Sequence, residues 1–194
     1  MTAKTLQPEE RDFLLTLARE TIERAARNPG REAEVPLDPP TDRLNQPGAS
    51  FVTLHTTNGA LRGCIGSLIA RRSLVEDVHA NALAAAFHDP RFPPVTPAEL
   101  THLVVEVSVL SEPEPLTYKG PKDLVKKLRP NVDGVVLRQG MHRATFLPQV
   151  WEQLPSAETF LSHLCQKAGL PPNAWQTGEL EISTYQVEEF EESH

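Results

Sequence analysis

Residues 51–66 have the sequence FVTLHTTNGALRGCIG, and this stretch decides the fold. It contains Asn58-Gly59 between two runs that are rich in β-forming residues. Asn-Gly is a strong hairpin signal, because both residues tolerate a positive φ angle. We therefore predict a hairpin whose first strand is 51–57 and whose second strand begins at Leu61 and continues into Arg62-Gly63-Cys64-Ile65-Gly66.

Helices flank this hairpin in the sequence. Ser73 and Glu76 have the spacing of a capping box, and apolar residues recur at helical spacing from Leu74 to Ala86. Residues 8–27 also carry apolar side chains at helical spacing with charges between them, and Asn28-Pro29-Gly30 ends that pattern. We expect the helix at 8–27 to cover a sheet, and the alanines of the helix that follows Ser73 to allow close approach to a neighbour.

Strands and helices continue to alternate through the rest of the chain. Pattern and turn signals predict a strand at 102–110, a hairpin of 134–138 and 143–147 across Gly140, a helix between Ser156 and Gly169, and a late strand at 180–187. Two hairpins among helices indicate an α+β fold with a mainly antiparallel or mixed sheet flanked by helices. The length of 194 residues suits a single domain.

Composition and charge exclude several classes of protein. The chain has 19 Lys and Arg against 26 Asp and Glu, and the basic residues form no stripe. Binders of nucleic acid or anionic membranes need a positive surface, so we expect neither role. Residues 1–8 contain no apolar run and the chain has no long apolar stretch, so we expect a cytoplasmic protein without a signal peptide or membrane span. Cys64 and Cys165 are too few for a disulfide framework.

The best candidate for chemistry is Cys64, which lies between Gly63 and Gly66 at the end of a predicted strand. Glycines leave backbone N–H groups and the sulfur open to an approaching ligand. Arg62 would supply the positive charge that a reactive thiolate or a bound anion needs. The structural alternative is a small buried cysteine beside glycines that serve a bulge.

A nucleophilic cysteine also needs a base within hydrogen-bond reach. Four histidines lie near the two hairpins and the capped helix, and the sequence does not choose among them: His55, His79, His88 and His142. Each also fits a solvated or helix-capping role. The common zinc, nucleotide and dinucleotide motifs do not occur in the sequence, so we predict no metal site and assign no cofactor.

Two further segments offer polar groups. Asp89 and Arg91 lie in the stiff segment DPRFPP, where a charge pair would either line a cleft beside Cys64 or hold the loop as a local salt bridge. Thr145 would present its hydroxyl inward from a predicted strand, although threonine in a strand is expected on propensity alone. Cys165 has helical spacing with its apolar neighbours, which indicates a core residue.

Three segments together resemble the AMMECR domain family: LRGCIG at 61–66, DPRFPP at 89–94 and ATFLPQVW at 144–151. The similarity is close to the prokaryotic branch of that family, the A proteins of AmmeMemoRadiSam systems. It spans nearly the whole chain, and the cysteine motif is the hallmark of the family. The resemblance implies one AMMECR-type domain at 1–194 with a larger and a smaller lobe, and with the cysteine motif at a cleft between structural elements.

The resemblance also implies site residues and partners. Carried over by position, the family pattern selects Arg62, Gly63, Cys64, Gly66, Asp89, Arg91 and Thr145. It does not require histidine at positions 88 and 142, which counts against a cysteine–histidine dyad there. The branch name links these proteins to a Memo-like protein and a radical SAM protein. Radical chemistry would belong to the partner, because this chain lacks the cysteines of an iron–sulfur cluster.

Two functional hypotheses follow. In the first, the protein is enzyme-like and binds a small anionic or peptide substrate in a cleft lined by Arg62, Cys64, Asp89 and Arg91. The two arginines would hold the substrate, and the cysteine would be the nucleophile or a redox-sensitive contact. In the second, the glycine-rich strand end and the proline segment form a docking surface for another protein of the system, without catalysis. A purely architectural motif is the third alternative.

Overall fold

The computed structural model of the protein describes residues 5–30, 35–177 and 179–193. Its helices are α1 (Pro8–Arg27), α2 (Leu74–Phe87), α3 (Pro121–Lys127) and α4 (Ala157–Lys167). Its strands are β1 (Pro47–Thr56), β2 (Leu61–Gly66), β3 (Arg72–Ser73), β4 (Leu103–Leu110), β5 (Glu114–Pro115), β6 (Gly134–Gln139), β7 (His142–Phe146), β8 (Glu181–Tyr185) and β9 (Val187–Glu191). Within the described residues the chain forms two compact units, 5–110 with 188–193 and 111–187.

The first unit is built on a five-stranded sheet. Its strands lie in the order β2-β1-β4-β9, and the short β3 pairs with the start of β1. β1 pairs antiparallel with β2, β3 and β4. The hairpin joins β1 to β2 at the predicted place, but its turn differs from the predicted one. The Gly59 N–H donates to the Thr56 carbonyl, and Gly59 has a positive φ of 85°, whereas Asn58 does not have a positive φ. The cysteine motif therefore lies along β2, at one edge of the sheet.

Helices α1 and α2 cover one face of this sheet. α2 packs on β1 and β2, and α1 packs on α2 and β4. The predicted capping box is confirmed, because the Ser73 hydroxyl accepts a hydrogen bond from the Glu76 N–H and the Glu76 carboxylate accepts one from the Ser73 N–H. The apolar side chains between helices and sheet form the core of the first unit, which includes Leu14, Ile22, Val52, Leu54, Val78, Val105 and Val107.

The second unit has its own antiparallel sheet and its own core. Its four strands lie in the order β5-β8-β6-β7, and α4 packs on β7. Phe160 of α4 stacks on Trp151 with ring centroids 3.8 Å apart. The Trp151 indole N–H donates to the carbonyl of Asp133 at 2.7 Å, so this buried ring keeps a polar partner. Cys165 is fully buried in this core, as predicted.

These sheets and helices confirm the predicted α+β fold and both predicted hairpins. The pairs β1–β2, β1–β3, β1–β4, β5–β8, β6–β7 and β6–β8 are antiparallel. Of the two sheet types that the sequence allowed, these pairs agree with the mainly antiparallel one. Among residues 5–30, 35–177 and 179–193, none of the helices combines the length and apolar character needed to cross a bilayer.

The prediction of a single late strand at 180–187 is wrong. β8 ends at Tyr185 in the second sheet, whereas β9 begins at Val187 and lies beside β4 in the first sheet. Gln186 lies between the two strands and bonds to Ser111. Its N–H donates to the Ser111 hydroxyl, and its carbonyl accepts from the Ser111 N–H. The sequence of β9 contains three glutamates and lacks the alternation of apolar residues that predicts a strand, although its Phe190 packs on the core.

Candidate functional site

Cys64 lies within the edge strand β2 and faces away from the helices. Its pairing partner across the hairpin is Thr53 of β1, whose hydroxyl donates a hydrogen bond of 3.3 Å to the Cys64 Sγ. The neighbouring Ile65 packs on the core beneath α2, and side chains alternate along a strand. Cys64 therefore projects from the opposite face of the sheet, where it is half-buried.

At both glycines of the cysteine motif, another group lies too close to the backbone for a side chain to fit. A Cβ at Gly63 would lie 2.2 Å from the carbonyl oxygen of Ala85 on α2. A Cβ at Gly66 would lie 2.2 Å from the ring of Phe51 on β1. Gly63 thus lets α2 approach one face of β2, and Gly66 makes room for an aromatic ring on the other face.

Asp89 and Arg91 close the free edge of β2 at Cys64. The Asp89 carboxylate accepts a hydrogen bond of 2.9 Å from the Cys64 N–H, and the Arg91 guanidinium donates one of 3.3 Å to the Cys64 carbonyl. The two side chains form an ion pair of 2.7 Å. Asp89 is 4% exposed, and the hydrogen bond from Arg91 holds the pKa of its carboxyl well below the usual value. The pair takes the place of a neighbouring strand and fixes the backbone of Cys64.

Arg62 is directed into the protein rather than toward solvent. It is 8% exposed, and its guanidinium donates to the Glu99 carboxylate at 2.8 Å and to the Pro93 carbonyl at 2.9 Å. The hydrogen bond from Arg62 lowers the pKa of the Glu99 carboxyl to about 2. The charge of Arg62 therefore anchors the proline segment against β2.

Acid is expected to weaken this anchor. The pKa of Glu99 is about 2 in the folded protein against an ordinary value of 4.5, so the folded state binds fewer protons than the unfolded state between these values. The stability that Glu99 contributes is fully present above pH 4.5 and is lost as the pH falls through about 2. Urea unfolding across this range should show a shallower loss of stability for Glu99→Gln than for the wild type. Parallel pH profiles of the two proteins would argue against the ion pair.

We use the term second face for the face of the first sheet that is turned away from α1 and α2. On it, Cys64 begins a polar row, because Cys64 pairs with Thr53 and Thr53 pairs with Glu106 of β4. The rows on either side are Leu61, His55 and Val104, and Gly66, Phe51 and Ser108. Neither Thr53 nor Glu106 was among the site residues predicted from the sequence.

Glu106 is half-buried on the second face, two strands away from Cys64. Burial raises the pKa of its carboxyl; Glu189 and Glu191 of β9 raise this pKa further, whereas His55 lowers it. The carboxyl therefore keeps its proton to a higher pH than an ordinary glutamate does. A thiol and such a carboxyl on one face of a sheet suit nucleophilic and acid–base chemistry.

The other candidates from the sequence are dispersed. Thr145 lies on β7 in the second unit, where its hydroxyl is 3.1 Å from that of Tyr185. The four candidate histidines lie on three elements: His55 on β1, His79 on α2, His88 at the end of α2 and His142 at the start of β7. Of these, His55 shares the second face with Cys64.

Two surface clefts are lined by other residues than those of the polar row. One of about 770 Å³ lies beside the Arg19–Glu192 ion pair, and one of about 590 Å³ lies beside Trp175; Cys64 lines neither. In the part of the chain that the structure describes, no three His, Cys, Asp or Glu side chains are grouped so that they could hold a metal ion. The residues that suit chemistry therefore lie on the second face rather than in either cleft.

Comparison with known proteins identifies the family. The AMMECR1 family model matches residues 15–190, which include all three motifs noted in the sequence. The chain belongs to the AMMECR1 family. This confirms the resemblance that the cysteine motif and its companion segments suggested.

Relatives of this AMMECR1-family chain extend over its whole length. A protein of Thermococcus gammatolerans is 40% identical over 198 residues, which cover 97% of this chain and 93% of the relative. A protein of Methanocaldococcus jannaschii is 36% identical over 195 residues and has the same coverage of both chains. The crystal structure of an uncharacterized protein from Pyrococcus horikoshii superposes with a TM-score of 0.79 at 38% identity, covering 97% of this chain and 94% of that one.

A buried polar network around Asp77 of this AMMECR1-family chain was not predicted from the sequence. Asp77 is 1% exposed, and its carboxylate accepts hydrogen bonds from the N–H and hydroxyl of Ser50, the hydroxyl of Ser67, the Nε of Arg72 and the amide of Asn81, all between 2.7 and 2.9 Å. One signal was available, because Asp77 and Asn81 are four residues apart and share a helix face. The network joins α2 to β1 and to the residue that follows β2.

Proposed function

We propose that Cys64 is the nucleophile of an enzyme-like site that acts on a small-molecule or peptide substrate. The supporting observation is the set of contacts around this residue. Thr53 donates a hydrogen bond to the sulfur, while Asp89 and Arg91 hold the backbone N–H and carbonyl. A nucleophile works best when its position and its hydrogen-bond partner are fixed. Cys64 meets both conditions and is half-buried rather than enclosed.

The charges near Cys64 narrow the substrate class. The sequence suggested a small anionic or a peptide substrate, with Arg62 and Arg91 as the anion-binding groups. Arg62 is paired with Glu99 and Arg91 with Asp89, so each positive charge is offset by a carboxylate. We therefore favour a neutral or peptide substrate over a small anion.

Alkylation by iodoacetamide, followed by mass spectrometry, tests the nucleophile. Cys64 should react in the folded protein, whereas Cys165 should react only after unfolding, because it is fully buried and burial raises the pKa of its thiol. Thr53→Val keeps the side-chain shape and removes the hydroxyl donor, so it should slow the reaction of Cys64 by about tenfold. Thr145→Val removes a hydroxyl from the second unit and serves as the matched control, with no change expected.

Equal reaction rates for the wild type and Thr53→Val would show that Cys64 is an ordinary accessible thiol. That result would favour the alternative function, in which the cysteine motif and the proline segment dock another protein. The exposed half of the Arg91 side chain, which lies beside Cys64, would then be a contact of that docking surface.

We also propose that the protein acts in the cytoplasm, in a system with a Memo-like and a radical SAM protein. This proposal is based on the family resemblance and on the unpaired thiols, which suit a reducing compartment. Purified partners from the same organism should co-elute with the wild type in gel filtration. If Cys64→Ser abolishes co-elution but leaves the fold intact, the motif is a docking surface rather than a catalytic one.

A further inference from the structure

The cleft beside Trp175 is formed by residues of the second unit alone. Its volume of about 590 Å³ lies within the range of small-molecule sites, and three of its lining side chains are apolar: Pro121, Val125 and Trp175. Trp175 is 5% exposed, and its indole N–H donates to the Ser162 hydroxyl at 3.0 Å. Val125 packs on the core of the same unit. The apolar wall of the cleft is therefore fixed by packing and by a hydrogen bond.

Two lysines add positive charge to this cleft. Lys122 and Lys126 are four residues apart on α3, so they lie on the same face of the helix. Both are exposed, and neither forms an ion pair with any residue that the structure describes. The neighbouring Lys127 differs, because it pairs with Asp123 at 3.1 Å and donates to the Thr117 carbonyl. The two ammonium groups at the cleft are therefore available to a ligand.

Glu158 adds a carboxylate to the lining of the cleft. This carboxylate accepts a hydrogen bond of 2.9 Å from the Ser156 hydroxyl. A hydrogen bond from its own backbone N–H and the one from Ser156 hold the pKa of the Glu158 carboxyl below its ordinary value, so it is charged at neutral pH. With two lysines and one glutamate, the lining carries one net positive charge. The whole chain has the opposite sign, with a net charge of -7.

The larger cleft, beside Arg19, does not offer an available cation. The Arg19 guanidinium donates to the Glu192 carboxylate and to two backbone carbonyls, so its charge and its donors are already used. The other charged side chains in the lining that the structure describes are the acidic Asp12 and Glu20. An anion would therefore meet repulsion in that cleft and attraction in the cleft beside Trp175.

We propose that the cleft beside Trp175 binds a small aromatic carboxylate. The ring of the ligand lies against the three apolar side chains, and its carboxylate accepts hydrogen bonds from Lys122 and Lys126. A single carboxylate balances the net charge of the lining. This site goes beyond the function proposed for Cys64 and does not depend on it, because Cys64 belongs to the first unit.

Titration of the isotope-labelled full chain with naphthaleneacetate, followed by NMR, tests the site. Trp175 lines the cleft, whereas Trp151 is buried in the core, so the indole N–H signal of Trp175 should shift and that of Trp151 should stay in place. Ser162→Ala removes the acceptor of the Trp175 indole and so identifies its signal. A Kd of about 1 mM is expected for a ligand of this size. A titration that leaves the Trp175 signal unmoved overturns the proposal.

Two matched ligands test the chemistry of the head group. Naphthaleneacetamide keeps the shape of naphthaleneacetate and removes its charge, so it should bind about tenfold more weakly, and added salt should narrow this difference. Equal affinities would show that the cleft selects the apolar ring alone, which contradicts the role of the lysines. Tighter binding of naphthyl phosphate than of naphthaleneacetate would assign the cleft to a phosphate and would also overturn the proposal.

Substitutions in the lining separate charge from packing. Lys122→Gln and Lys126→Gln should each weaken the binding of naphthaleneacetate by about threefold, while the binding of naphthaleneacetamide stays the same. Glu158→Gln keeps an acceptor for Ser156 and removes a repelling charge, so it should strengthen the binding of naphthaleneacetate by about threefold. Lys119→Gln is the matched control, because Lys119 is an exposed lysine of the same unit that does not line the cleft.

The double variant Lys122→Gln with Lys126→Gln gives the decisive result. It should bind naphthaleneacetate as weakly as the wild type binds naphthaleneacetamide. Wild-type affinity for naphthaleneacetate in this double variant overturns the proposal. A changed elution volume of the double variant in gel filtration, without a change in this affinity, would show that the cleft holds a second copy of the chain instead.

Discussion

Replacing Asp77 with alanine should lower the free energy of unfolding by roughly 3–5 kcal/mol, because the substitution removes the acceptor of several buried donors. Ser50 is 0% exposed and Asn81 is 4% exposed, so water cannot readily replace the lost carboxylate. Each buried donor left without a partner costs about 1–3 kcal/mol. Since small domains are stable by only about 5–15 kcal/mol, this loss is large. Urea unfolding followed by circular dichroism measures it.

Matched variants show whether the loss comes from the network. Asp12→Asn changes an exposed carboxylate of α1 and should alter stability by less than about 0.5 kcal/mol. Ser67→Ala removes a single donor to Asp77 and should have an intermediate effect. If Asp77→Ala were no worse than Asp12→Asn, the carboxylate would not hold α2 to the strands as described.

Gly63→Ala should destabilise the protein by about 3 kcal/mol, at the upper end of overpacking effects. The new methyl group would lie 2.2 Å from the carbonyl oxygen of Ala85, and a backbone atom of α2 cannot rotate away as a side chain can. The helix or β2 has to shift, so the alkylation rate of Cys64 should change as well. Urea unfolding and the alkylation assay measure the two effects on the same protein.

Gly66→Ala is the matched comparison, because its methyl group would meet the side chain of Phe51 rather than a backbone atom. The double variant Gly66→Ala with Phe51→Ala should therefore be less destabilised than the sum of the two single variants. No side-chain truncation should rescue Gly63→Ala in this way. Rescue of Gly63→Ala by Leu54→Ala, the nearest side chain at 3.8 Å, would contradict the backbone clash.

The local parts of the fold were predictable because their signals lie within a few residues of each other. The capping box of Ser73 and Glu76 and the hairpin at Asn58-Gly59 depend on neighbouring groups alone. Counting outward from a two-residue turn at Asn58-Gly59 also places Thr53 opposite Cys64. In the structure His55 pairs with Leu61, and the irregularity between Leu54 and His55 shifts the register so that Thr53 does pair with Cys64. Thr53, the hydrogen-bond partner of the Cys64 sulfur, was thus predictable from the hairpin turn alone.

The roles predicted for Arg62 and Arg91 differ from those in the structure, and the partner of Arg62 could not be predicted from neighbouring residues alone. Arg62 next to Cys64 suggested an anion-binding group, because a positive charge beside a thiol has that use. Its actual partner is Glu99, which is 37 residues away in the chain. Arg91 pairs with Asp89, which is the local salt bridge that the sequence offered as one alternative. Both side chains also bind the backbone of Cys64. Which carboxylate meets which arginine depends on how the proline segment crosses β2.

The sequence by itself determined the family, the helices, the two hairpins and the position of Cys64 on a strand, because motifs, periodicity and turn chemistry are local properties of the chain. Only the tertiary structure decided that β4 lies beside β1, which puts Glu106 in one row with Cys64, and that β9 joins the first sheet. Strand pairing between distant segments is set by the packing of the whole core, to which every helix and strand contributes. The arrangement of thiol, hydroxyl and carboxyl on the second face is therefore a property of the folded sheet and not of any one segment.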